Sequence, residues 1–117
     1  MTQTRKNDYT SLDIWKSLIN VEGSKFIDIS LIINHQKKDF PDKQIIKKYE
    51  NHMSIETPYI SLSKARNTLL KKSVSTFKDY DFYIFLDDDS YIYDYRLLIE
   101  SLTYCKMNQY TGLIIGS

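Results

Sequence analysis

Three adjacent carboxylates, Asp87-Asp88-Asp89, follow directly on the apolar run Phe82-Tyr83-Ile84-Phe85-Leu86. Five apolar or aromatic residues without polar alternation predict a strand buried on both faces, as in a parallel sheet covered by helices. Carboxylates crowded at the carboxyl end of such a strand repel one another, and a divalent cation carrying a phosphate would relieve that repulsion. Side chains alternate along a strand, so Asp87 and Asp89 are expected to converge on one ion while Asp88 points elsewhere. Oxygen-only donors suit Mg²⁺ or Mn²⁺, and the lack of His or Cys near the triplet argues against zinc. The position fits, because ligands of open α/β sheets gather outside the carboxyl ends of the strands. An acidic turn that solvates a loop or caps a helix is the plainer alternative.

A second candidate is Ser63-Lys64-Ala65-Arg66-Asn67. Arg66 falls four residues after Leu62 and three and four before Leu69 and Leu70, on the stripe where packing alone would want a hydrophobe. Such an arginine either pairs with an Asp of its own domain, snorkels to the helix end, or faces an anionic or planar ligand. Asn67 could cap or brace the adjoining loop.

Alternating helices and strands with short joints must position these groups. Thr10 and Asp13 form a candidate capping box for a helix with the stripe Leu12, Trp15, Leu18 and Ile19, closed near Gly23. Residues 26–33 read as a strand, with Ile27, Ile29, Leu31 and Ile33 on one face. Pro41 opens a short helix carrying Ile45, Ile46 and Tyr49. A weak extended segment over 53–56 precedes Pro58. Ser61 or Ser63 caps the next helix, with Leu62, Ala65, Leu69, Leu70 and Val74 inward. Asp94 caps a last helix to Met107, with Leu97, Leu98, Leu102 and Cys105 inward, and Leu113-Ile114-Ile115 reads as a final strand. The expected fold class is α/β, a mainly parallel sheet with flanking helices.

At 117 residues the chain is one small domain or part of a larger one. With 16 basic and 15 acidic residues the net charge is +1, so no overall field favours nucleic acid or an anionic membrane. The single Cys105 excludes an internal disulfide framework and a cysteine-rich zinc site. No leader-like segment opens the chain and no apolar run approaches ~18 residues, so the expectation is a soluble cytoplasmic protein without a transmembrane segment. Both ends look cut: a polar loop and helix come first, with no strand before them, and the chain stops just after a strand.

The string S-K-A-R-N-T-L-L, then Y-I-F-L-D-D-D 20 residues from Asn67 to Asp87, resembles the family 2 glycosyltransferases of the GT-A class, bacterial polysaccharide-assembly members above all. The resemblance covers nearly the whole chain. It implies a single partial GT-A nucleotide-sugar-binding domain over residues 1–117, incomplete at both ends. By that resemblance Asp87 and Asp89 would hold a divalent metal, Mn²⁺ or Mg²⁺. Asp88, Arg5, Lys64, Arg66, Asn67 and His35 would lie at the nucleotide-sugar. Family members carry an Asp at the end of the second strand to read the base, where this chain has His35 or Gln36. Residues 2–5 resemble the end of the family's first strand and its loop, with the strand itself missing. The half that supplies the acceptor site and the general base would lie beyond Ser117, so no catalytic residue is assigned here.

The implied function is the donor-binding part of a metal-dependent enzyme that moves a sugar from a nucleotide-sugar to a glycan or lipid-linked acceptor. Peripheral membrane association would run through regions outside this chain. The rival reading is a non-catalytic remnant, or a partner-dependent fragment, that binds nucleotide weakly or not at all. A metal-dependent phosphate-handling enzyme of another α/β family is a further alternative, but it lacks a placed Asp nucleophile and lysine partner.

Overall fold

In the computed structural model of the protein, residues 1–19, 29–40, 43–49 and 52–108 are described. They form a mixed four-stranded sheet with helices, in the spatial order β1-β2-β4-β3. The strands are β1 (Thr2–Thr4), β2 (Leu31–Gln36), β3 (Ile45–Lys48) and β4 (His52–Thr57); the helices are α1 (Asp13–Ile19), α2 (Leu62–Thr76) and α3 (Tyr95–Met107). β1 runs parallel to β2, with Thr2 opposite Ile33 and Thr4 opposite His35. β2 runs parallel to β4, from Leu31 opposite His52 to Gln36 opposite Thr57. β3 is antiparallel to β4.

β2 is central and wholly buried, as its Leu-Ile-Ile start demands once neighbours pair on both edges. Alternation divides the sheet faces. Met1, Ile32, Met53 and Ile55 pack with Leu69 of α2, and Phe77 and Tyr83 close that core. On the opposite face Tyr9 meets His35 edge-on at 5.3 Å, and Trp15 of α1 meets His52 at 4.6 Å. The sheet is therefore covered on both sides.

Residues 82–86 do not form the doubly buried strand that their composition predicts. They make one step of a parallel ladder beside β1: Met1 N donates to Ile84 O at 2.6 Å, and Leu86 N donates to Met1 O at 2.9 Å. Phe85 stays 40% exposed. The first strand, expected to be missing with only its loop left, is present as β1. The helix expected over 41–49 is replaced at 45–48 by β3, because pairing with the open edge of β4 satisfies backbone groups that a short helix would leave to water.

The helix boundaries follow their caps. Ser61 Oγ accepts from Lys64 N, and Asp94 Oδ1 accepts from Arg96 N and Leu97 N, so α2 and α3 begin where their sequences predict. The buried stripe of α2 is Ala65, Leu69 and Ser73, leaving Leu62, Leu70, Val74 and Arg66 exposed rather than inward. Small residues at 65 and 73 let the helix approach the sheet closely, which rotates the stripe away from the leucines. In α3 Cys105 is buried as expected, whereas Leu97 is exposed. Asp8 takes the capping role expected of Thr10, accepting from Thr10 N at 3.0 Å to start a 3₁₀ turn over Tyr9–Ser11. Leu12 and Ile14 are buried at the head of α1, while Trp15 and Leu18 are half-buried. The expected helix end at Gly23, the strand start at 26–27, Pro41 and the strand at 113–115 lie outside the described residues.

One ion-paired knot fixes the β2–β4–β3 edge. Glu56 is buried and accepts from Lys47 Nζ at 2.9 Å and Lys37 Nζ at 3.1 Å. Burial pushes its carboxyl upward, but the hydrogen bonds from Lys47 and Lys37 outweigh this and hold it below the ordinary 4.5. A depressed carboxylate stabilises the fold above its unfolded value and loses that contribution as pH falls through the folded one. Glu56→Gln is therefore expected to lower Tm at neutral pH, with the gap from wild type closing below about pH 4; a thermal melt series against pH checks this.

Candidate functional site

The four parallel segments lie side by side as β4, β2, β1 and 82–86, that is, third, second, first and fourth in chain order. The order reverses between β1 and 82–86, the place where open sheets leave a crevice at the strand ends. The acidic triplet sits at this reversal. Thr4 Oγ1, at the carboxyl end of β1, donates to Asp88 Oδ2 at 2.8 Å, and also accepts from Lys6 N at 3.2 Å. The bond joins residues 84 apart in sequence and holds the acidic turn against β1.

The triplet does not continue a strand. Ser90 N donates to Asp87 O at 3.1 Å, closing a turn over 87–90. Strand alternation therefore does not make Asp87 and Asp89 converge. Both are exposed and neither joins an ion pair among the described residues. No group of three or more His, Cys, Asp or Glu that could hold a metal occurs among the described residues. The pair offers at most two carboxylates, so a hard ion there would need a ligand's oxygens to complete its shell. Such a pair does not fit an all-protein cage.

Arg5 follows β1 directly and is fixed from two directions. Its Nε donates to Gln36 Oε1 at 3.0 Å and its Nη2 to Ile60 O at 3.1 Å, with the guanidinium 4.3 Å from the centre of the Tyr59 ring. Gln36 is 1% exposed, and its amide is the junction of the strand ends. Oε1 also accepts from Ile60 N at 3.1 Å; Nε2 donates to Gln3 Oε1 at 3.1 Å and to Asn34 Oδ1 at 2.9 Å. Asn34 in turn donates to Ile55 O and Thr57 Oγ1. The end of the second strand thus carries an amide whose acceptor is taken by the protein itself. Nothing in Gln36 as an isolated residue signals this, and Gln3, Asn34 and Gln36 all lie outside the strands that the sequence predicts.

The other expected residues separate. Arg66 lies 5.8 Å from the centre of the Phe85 ring, beside the segment that ends in the acidic turn. Lys64 and Asn67 instead line a groove with Lys43 and Gln44, towards β3 and away from the turn. His35 is buried, its Nε2 2.9 Å from Lys6 O and its Nδ1 without a partner among the described residues, so it braces the loop after β1. Asp88 is tied to β1 by Thr4 and Arg66 lies beside Phe85, just before the acidic turn, whereas the guanidinium of Arg5 is turned to Gln36, Tyr59 and Ile60.

Replacing Gln36 with Leu removes one junction and strands Gln3, Asn34 and Arg5 partners in a buried setting. The expected loss is about 2–4 kcal/mol of unfolding free energy, since each orphaned buried polar group costs roughly 1–3 kcal/mol; urea denaturation of Gln36→Leu measures it. No protein-family model, curated protein or solved structure matches the chain.

Proposed function

We propose that this chain is the donor-binding part of a glycosyltransferase that uses a nucleotide-sugar and a divalent metal, Mn²⁺ or Mg²⁺. The observation that carries the reading is the Thr4–Asp88 bond, which seats an acidic turn at the carboxyl end of β1 where the strand order reverses. The sequence resemblance supplies the reaction class; the geometry supports a place for a charged, phosphate-bearing ligand.

In this reading Asp87 and Asp89 hold the metal, which when bound neutralises charge on the departing nucleoside diphosphate. Asp88 is a positioning residue, tied to Thr4 so that the turn keeps its place against the sheet. Arg5, clamped by Gln36 and Ile60 O, offers its remaining N–H groups to the nucleotide. Arg66 approaches from α2, over Phe85, and adds positive charge on the same side. Transfer would be to a glycan or lipid-linked acceptor.

A second reading, a non-catalytic remnant or partner-dependent fragment, draws support from one observation: two exposed carboxylates in a turn, without a third metal ligand among the described residues. The two readings differ in metal dependence. Titration of uridine and other nucleoside diphosphates, with and without Mn²⁺, is expected to give metal-enhanced binding. Asp87→Asn or Asp89→Asn should weaken it tenfold or more, as loss of a charged ligand does. Binding indifferent to Mn²⁺, or absent, overturns the enzyme reading and leaves the remnant.

A further inference from the structure

The groove on the far side of α2 has the opposite charge to the acidic turn. One wall is Lys43 and Gln44, where the chain enters β3; the other is the α2 face bearing Lys64, Asn67, Thr68 and Lys71, with about 420 Å³ between them. Positions 64, 67, 68 and 71 are one helix face by their spacing. Lysines from two separate segments thus line one space, and no Asp or Glu among the described residues lines it.

Two comparisons within the molecule make this arrangement unusual. Lys37, just past β2, and Lys47 of β3 both pair with Glu56, whereas Lys43, Lys64 and Lys71 join no ion pair among the described residues. Lys64 also stands in the first turn of a 15-residue helix that has no acidic residue there. A cation at that end adds to the positive pole of the helix where an anion would normally offset it. Three like charges and a helix start therefore raise one local potential, and an anion in the groove would relieve it. Asn67 and Gln44 add neutral donors. The volume exceeds what a lone ion needs and falls in the range of small-molecule sites.

We infer that this groove binds a phosphoryl-bearing ligand with two or more negative charges, without metal and separately from the acidic turn. The site does not depend on the nucleotide-sugar reading, because none of Thr4, Asp87, Asp88, Asp89 or Arg66 lines it. The charge can come from a soluble phosphate ester or from an anionic lipid headgroup; the recognition chemistry is the same.

Inorganic pyrophosphate titrated calorimetrically in EDTA and low salt tests the site. Saturable binding is expected, weakened tenfold or more in Lys43→Gln/Lys71→Gln and by added salt. It should be restored in Lys43→Arg/Lys71→Arg, and unchanged in Lys48→Gln and in Arg66→Gln. Co-sedimentation with phosphatidylcholine vesicles, with and without phosphatidic acid, separates the sources. Retention on the acidic vesicles that pyrophosphate competes away assigns a lipid headgroup, and its absence alongside pyrophosphate binding assigns a soluble ester. No saturable binding overturns the inference. So does binding that follows Arg66→Gln but ignores the lysine pair, or binding that falls equally in Lys48→Gln.

Discussion

The side-chain amide of Gln36 is the constraint on which the rest of the upper sheet depends. It is buried, and each of its two heavy atoms makes two hydrogen bonds. Through them it ties β1 by Gln3 and Arg5, β2 by Asn34, and the loop from β4 to α2 by Ile60. A buried primary amide is tolerable only when its donors and acceptor are all used, and here each is. The geometry of Arg5 follows directly. Its guanidinium cannot rotate freely while Nε and Nη2 are both engaged, so a side chain with large rotamer freedom is held in one orientation at the strand ends.

Charge in this chain is arranged rather than accumulated. A net charge of +1 gives no global field, yet the cations of α2 are divided between two sides of the helix. The single helix achieves this by its rotation. With Ala65, Leu69 and Ser73 turned to the sheet, Arg66 falls on the side of Phe85 and the acidic turn, while Lys64, Asn67 and Lys71 fall on the side of β3.

Local signals in the sequence were enough to locate α2 and α3, because Ser61 and Asp94 act within three residues of themselves. The acidic triplet was legible for the same reason. What depended on distant partners was not. Thr2-Gln3-Thr4 is too short and polar to announce a strand, and it becomes one only by pairing with Ile33 to His35. Ile45 to Lys48 carries a pattern compatible with helix, and the open edge of β4 decides for strand. On α2 Ala65 and Leu69 turn inward as expected, but Leu62, Leu70 and Val74 do not and Ser73 takes their place, because close approach to a sheet selects small side chains over more hydrophobic ones. Fold class was thus readable, with a mixed rather than mainly parallel outcome at one edge. The identity of the side chains that touch at the strand ends was not.

The contacts that seat the acidic turn join residues 83 and 84 positions apart, Met1 to Ile84 and Thr4 to Asp88. Closing so long a loop carries an entropic penalty that grows only slowly with length, but it delays the contacts until most of the chain is available. During synthesis β1 must wait, one edge open, until the segment that completes it has emerged. The strand-order reversal is consequently assembled late, and a nascent chain that stops short of residue 84 has the sheet's centre without the segment that carries the acidic turn.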